Sequence, residues 1–458
     1  MRRGRQARKV SRIRGVAGVL LAVSVVLAGC EGAGASGSNA DGNGSESCSS
    51  GGVGSLALSM TVPTVSYIPA AQPQVVLYGP SGSATSFDAS GTFDLPGGSY
   101  IVEVHRGVTS DSLIGMADGV NENTVQSLCI TDGEETSLAV TFEAQAGAQR
   151  LWVTDEDRLL GFSRAQVNAG GSALPIVLDG SLINDFRGFD FDALGNLWAA
   201  TGPTYGTRLL WLEPGKLGLS GALVPNGSIT NSYFGAQYAP VSDVFYAADG
   251  TLWLAVHRVD DSFNGLIGYS RATLAEFLLE GGDVAREPDF VHALPGTTGP
   301  VALSYGPSSR VYVADFEDDA IHRINSLSGN GSGVDASFTV RITGVVVSNA
   351  RGPRDLIGTS TNLAILFTTT NQLVVLNSAD IANTASAQID VTSPTTFGVL
   401  QLPSGLVLTD RYWVGNQAAS SPGELLRFNA GGTTSAFLTS SELSDPVDLR
   451  LNPPGIVW

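Results

Sequence analysis

One unit recurs between Gln149 and Trp458, and no other feature restricts the possible folds as much. A proline-led strand, a Gly or Asn turn and a short apolar strand beginning with an aromatic follow one another in APVSDVFYAADGTLWLAV (239–256), GPVALSYGPSSRVYVAD (299–315), GPRDLIGTSTNLAILF (352–367) and DPVDLRLNPPGIVW (445–458). FRGFDFDALGNLWAAT (186–201) and FGVLQLPSGLVLTD (397–410) lack the proline and keep the rest, and RLWVTD (150–155) begins midway through a unit. A third strand comes next in each: RLLGFSR, RLLWLEP, GLIGYSR, AIHRIN, QLVVLN and ELLRFN. Units of roughly 45–60 residues with three or four short strands bury their faces only by stacking on their neighbours, which is the logic of β-propeller blades.

The turn chemistry agrees. Asp249-Gly250 and Gly195-Asn196 supply positive φ between antiparallel strands, so each unit opens as a hairpin. Pro240, Pro300, Pro353 and Pro446 have no N–H to donate and belong at a strand's first residue or just before it. Trp198, Trp253 and Tyr312 hold matching positions and are assigned to packing between blades. Pairing Val447–Leu451 with Leu151–Asp155 completes a sixth blade and shuts the ring. Leu151-Trp152-Val153 and Ile456-Val457-Trp458 both fit the second-strand position, so seven blades remain the alternative. The expected fold is all-β: a six-bladed, or else seven-bladed, propeller over 148–458 behind a small β-sandwich.

The repeat, written P-x-x-[AD]…[DN]-G-x-[LV]-[WY]-V-x-D…I-x-R, resembles the NHL repeat and the related repeats of streptogramin lyases and SMP-30/gluconolactonase-like proteins. The resemblance implies the propeller. It leaves function open, because such propellers include binders, scaffolds and metal-dependent enzymes.

Residues 55–147 carry β-prone runs at Ser55–Val62, Gln74–Gly79, Ser99–His105, Val125–Ile130 and Thr136–Glu143. In the third run Tyr100, Val102 and Val104 face one way and Ile101, Glu103 and His105 the other, which puts Glu103 and His105 toward solvent. LPGGSYIVEV resembles a strand of prealbumin-like sandwiches, implying a sandwich here that serves as a spacer or second binding module.

Before this lie a Gly/Ser/Asn tether (30–54) and a segment (1–29) with Arg2, Arg3, Arg5, Arg8, Lys9, Arg12 and Arg14 ahead of the uncharged stretch Gly15–Gly29. That stretch is short for a membrane span and suits a secretory signal. Leu27-Ala28-Gly29-Cys30 resembles the lipobox of bacterial lipoproteins, which implies cleavage before Cys30 and lipidation of its thiol. Glu31, rather than Asp, then suggests the outer membrane of a Gram-negative envelope, with the lipid as the membrane partner. Loss of the basic segment leaves 18 basic residues against 43 acidic ones, which excludes nucleic-acid binding. With Cys30 lipidated, Cys48 and Cys129 remain as a pair in an oxidising compartment and are expected to form a disulfide.

Chemistry is sparse. His257, His292 and His322 fall on different structural positions, and no two have metal-ligand spacing. Asp155, Asp315 and Asp410 each end a second strand, and ring symmetry gathers them on one rim, so they are the candidates for Ca²⁺ or another divalent ion; their alternative role is bonding turn backbone. No catalytic or metal-ligand set is assigned. The expectation is a non-catalytic, membrane-anchored binder of an unidentified protein, glycan or small ligand. The second reading is a metal-dependent lyase or lactonase of the streptogramin-lyase/SMP-30 type.

Overall fold

The computed structural model describes Cys48 and, from Gly51 to Asn452, all but short internal stretches. Cys30 and residues 453–458 lie outside the described residues, so the lipidation site is not among them.

The first two sheets make the sandwich. One is ordered Gly91–Pro96, Val53–Thr61, Glu135–Gln145, Leu113–Met116, Gly107–Val108; the other Ala84–Phe87, Gln74–Tyr78, Gly98–His105, Val125–Ile130. Leu56, Val75, Leu77, Val102 and Phe142 fill the space between them. Tyr100, Val102 and Val104 face this core, as their alternation requires. A disulfide joins Cys48 to Cys129 and ties the start of the sandwich to its Val125–Ile130 strand.

Six further sheets follow among the described residues. Their innermost strands are, in chain order, Gly188–Phe191, Val241–Tyr246, Pro300–Gly306, Asp355–Gly358, Pro403–Leu408 and Pro446–Asn452. Each adjoins the next, and the last returns to the first, so the strands form a closed cycle. Closure is by Pro446–Asn452, which pairs antiparallel with Arg150–Asp155 and places Leu449 opposite Val153 and Leu451 opposite Leu151. The second-strand position in this closing sheet therefore belongs to Leu151-Trp152-Val153. We number the sheets from this one: first (Arg150–Asp155), second (from Gly188), third (from Val241), fourth (from Pro300), fifth (from Asp355) and sixth (from Pro403).

The second strands are apolar and buried through their middles, which explains the stacking. Trp152 packs with Phe191 and Leu197 between the first and second sheets. Trp198 packs with Val244 and Leu254, Trp253 with Leu303 and Val313, and Tyr312 with Leu363 and Ile365. Leu366 packs with Val414, and Trp413 with Leu151 and Leu449, which completes the circuit of layers. Gly195 (φ +84) and Gly250 (φ +86) hold the left-handed turns that the hairpins need.

Two features have no counterpart in the repeat pattern. Sheets acquire a fifth, outermost strand running parallel, donated by the connection after the third strand of the following unit. Gly221–Ala222 pairs with Ile176–Asp179 in this way, Gly282–Ala285 with Gly227–Thr230, and Gly171–Ser172 with Thr434–Thr439 across the closing seam. These strands cover sheet edges that would otherwise be free to pair with another chain. In the first and third units the third strand also runs into a helix. Arg164–Ala169 is capped by Ser163 and Arg271–Glu280 by Ser270, each serine accepting from a first-turn N–H.

The outward face of the sandwich differs from its reading as a solvated surface. Glu103 is buried, and its Oε2 accepts from Tyr78 Oη at 3.0 Å and from Arg271 Nη2 of the propeller at 3.0 Å. His105 Nε2 lies 2.8 Å from the same oxygen, and His105 also contacts Arg271. Around them Val76 and Tyr78 pack on Ala275 of helix Arg271–Glu280. The alternation correctly identifies the face; a propeller helix, instead of water, covers it.

Candidate functional site

The inner strands converge on the ring axis, where each has one edge paired and the other facing the centre. The structurally matching residues near their starts are, around the ring, Asp448, Gly188, Asp243, Ala302, Asp355 and Gly405, so carboxylates alternate with the smallest side chains. Each Asp serves two strands. Asp448 accepts from Leu449 N at 2.7 Å and from Phe189 N of the next strand at 3.4 Å. Asp243 accepts from Val244 N and Leu303 N, both at 2.8 Å, and Asp355 from Leu356 N at 2.7 Å and Leu406 N at 2.6 Å. Three carboxylates thus satisfy one backbone N–H on every inner strand, donors that have no room for a further strand. The alternation is steric as well: a Cβ on Gly188 would lie 2.6 Å from Asp243 Cα.

Arg450 lies among them on the closing strand, donating from Nη1 to Asp448 Oδ1 at 2.6 Å and from Nη2 to Asp243 Oδ1 at 2.7 Å. Deeper along the same strands, Asp190 accepts from Phe191 N and, across the strand gap, from Tyr246 N, both at 2.8 Å. Burial pushes the carboxyl of Asp355 up to about 7 and that of Asp190 up to about 6, with Arg450 pulling each back. Asp243 and Asp448 move the same way for the same reason. Burial opposes the charge on Arg450, but Asp448, Asp243 and Asp355 more than compensate and raise its pKa. Ser242, Arg354, Asp355 and Arg450 line a cavity of about 20 Å³ at this end of the axis. That is room for about one water.

The carboxylates do not fit a divalent ion as arranged. All six oxygens of Asp448, Asp243 and Asp355 already accept backbone N–H bonds, and a guanidinium bridges two of the three groups. The geometry can staple inner strands together and hold the guanidinium of Arg450 between Asp448 and Asp243.

Of the three aspartates expected at second-strand ends, Asp155 and Asp315 hold that place, whereas the sixth sheet's second strand is Tyr412–Asn416 and Asp410 falls in the sequence between it and the innermost strand, Pro403–Leu408. Asp155 accepts from Ser444 N at 2.9 Å and pairs with Arg158 at 3.0 Å. Asp315 accepts from Gly299 N at 3.0 Å and lies 3.3 Å from His322 Nε2. Both hold connecting backbone, and Asp410 is outside the described residues. No cluster of three or more His, Cys, Asp or Glu suited to a metal occurs among the described residues. His257 bonds Asn264 at 2.8 Å, and His292 lies against the Trp253 ring at 5.4 Å. Asp243 holds the [AD] position of the repeat, in PVSD, whereas in PRD and PVD the aspartate follows the proline one residue sooner than the repeat as written. Arg450 had no sequence signal.

No family model matches the chain, and no curated protein does. Among solved structures, a protein of unknown function from Bacteroides caccae is 8% identical with a TM-score of 0.46, covering 66% of this chain and 98% of that one. A putative 6-phosphogluconolactonase from Bacteroides fragilis is 12% identical (TM-score 0.43; 66% of this chain, 97% of that one). Virginiamycin B lyase from Staphylococcus aureus is 12% identical (TM-score 0.34; 69% and 87%). The strand order and closed cycle carry the propeller assignment independently of these likenesses.

Proposed function

We propose that the chain is a lipid-anchored protein of the cell envelope, in the outer membrane, whose propeller binds a protein, glycan or small ligand without catalysing a reaction. The observation that carries this reading is the axis itself. Where a metal-dependent propeller enzyme needs free ligand oxygens, the carboxylates here are engaged by backbone amides and Arg450. Binding then falls to the rim where the inner strands begin. The opposite face, where the inner hairpins turn, is partly covered by the sandwich: its Arg106 lies over Gly195, and its Glu103 bonds the propeller's own Arg271, whose side chain lies over Gly250. Loops on a rigid scaffold are where recognition is usually placed.

Metal content of the purified protein tests the non-catalytic reading. A stoichiometric divalent ion that survives dialysis and leaves only with a chelator would overturn it in favour of the lyase or lactonase class. Replacing Cys30 with Ser tests the anchor: the variant should leave the membrane fraction, and continued retention would contradict lipidation.

A further inference from the structure

A single short segment of the sandwich, Glu103 to Thr109, reaches four consecutive sheets of the propeller. Val108 is buried in the hydrophobic layer between the sixth and first sheets, the layer that also holds Trp413, Leu151 and Leu449. The carbonyl of Thr109 accepts from Gln149 Nε2 at 3.2 Å, and Gln149 Oε1 accepts in turn from Arg164 of the first sheet's helix at 2.9 Å. Arg106 is seated over the Gly195 turn of the second sheet, where Asp192 supplies the opposing charge. Glu103 reaches the third unit through Arg271.

The position of this contact matters because the ring has one weak joint. Apart from their outermost parallel strands, five sheets are built from strands that follow one another locally, whereas the first is completed by Pro446–Asn452, almost three hundred residues from the strand it pairs with, and the sixth borrows Gly171–Ser172 across the same seam. Breaking that pairing opens the ring without unravelling any local hairpin. We propose that the sandwich is a brace across this closing seam, and that it holds the ring shut in place of acting as a movable spacer. The topology favours such a role. The last sandwich strand ends at Gln145 and the first propeller strand begins at Arg150, so the sandwich is delivered directly beside the seam. The charges alternate across the contact, with an anion from the sandwich meeting a cation at Arg271 and a cation from the sandwich meeting an anion at Asp192. One register of docking satisfies both; a shifted one brings like charges together.

Hydrogen exchange read by mass spectrometry on the full chain tests the brace. Val108→Asp places a charge in the seam layer, and Arg106→Ala removes a contact outside it without adding one. In both variants, peptides covering Arg150–Asp155 and Pro446–Asn452 should exchange at least about tenfold faster, with Asn362–Phe367 in the fifth sheet unchanged. Unaltered exchange at the seam in Arg106→Ala would overturn the proposal, as would an equal acceleration in the fifth sheet. If Val108→Asp does not fold, the Arg106→Ala result alone decides.

Discussion

Arg450→Met is the most demanding test of the axis. The substitution keeps an unbranched side chain of similar reach and removes the guanidinium that bridges Asp448 and Asp243. Three charge-assisted bonds disappear, of 2.6 Å to Asp448, 2.7 Å to Asp243 and 3.0 Å to the Leu449 carbonyl. Stranding buried charges by removing one partner costs about 3–5 kcal/mol, and that is the loss expected at pH 7.5. Its pH dependence is the sharper prediction. The Asp355 carboxyl, at about 7 in the fold, lies above its value in the unfolded chain. Its contribution is therefore fully present only below the unfolded pKa and is lost as pH rises through 7. The native protein should become more stable between pH 7.5 and 5, by up to about 2 kcal/mol for one proton taken up. Glu103 does not interfere in this window, because its His105, Tyr78 and Arg271 partners outweigh burial and hold its pKa low. Without Arg450 the axial carboxyls rise further, so acid should rescue the variant more than the native chain, returning about half of the loss at pH 5. Urea unfolding followed by tryptophan fluorescence at the two pH values measures both quantities. A loss below about 1 kcal/mol at pH 7.5, or an equal loss at both pH values, would refute the account of the axis as a charge-balanced staple.

Gly188→Ala should cost about 1–3 kcal/mol, since its Cβ meets the backbone of Asp243 at 2.6 Å and neither strand can retreat from the ring; a neutral urea midpoint would count against the steric reading. For the docked sandwich, a double-mutant cycle of Glu103→Gln and Arg271→Ala should return a coupling of about 1–3 kcal/mol, whereas additive effects would mean that the pair contributes nothing beyond its single groups. Removing the disulfide with Cys129→Ser frees a loop of 81-residue separation and should destabilise the sandwich by about 4 kcal/mol on the chain-entropy model, read as a lower thermal midpoint matched by the reduced native protein.

The propeller was legible because its determinants are local: hairpin glycines, leading prolines and the aromatic of each second strand all repeat within one unit. The parallel fifth strands were not, because segments such as Gly221–Ala222 and Gly171–Ser172 are two residues long and carry no apolar alternation; only the neighbouring sheet makes them strands. Glu103 and His105 show a different limit. Period-two alternation separates the two faces of a strand but does not report what covers the outer one.

The axial site combines both situations. Its aspartates recur in the repeat, yet Asp ahead of a Leu or Val in a strand has no evident use until the inner strands are drawn into a ring. Closing the ring creates the need, since every inner strand then presents an N–H to a space too narrow for another strand. Three carboxylates meet that need on six strands only if the intervening positions are as small as Gly188, Ala302 and Gly405. The result is a surplus of buried negative charge, and the neutralising group comes from Arg450 on the very strand that closes the ring, bonded to Asp243 at a separation of 207 residues. Ring closure and charge balance at the axis are therefore one event: until Pro446–Asn452 docks, the carboxylates of the third and fifth sheets lack their counter-ion, and once it docks they hold it in place.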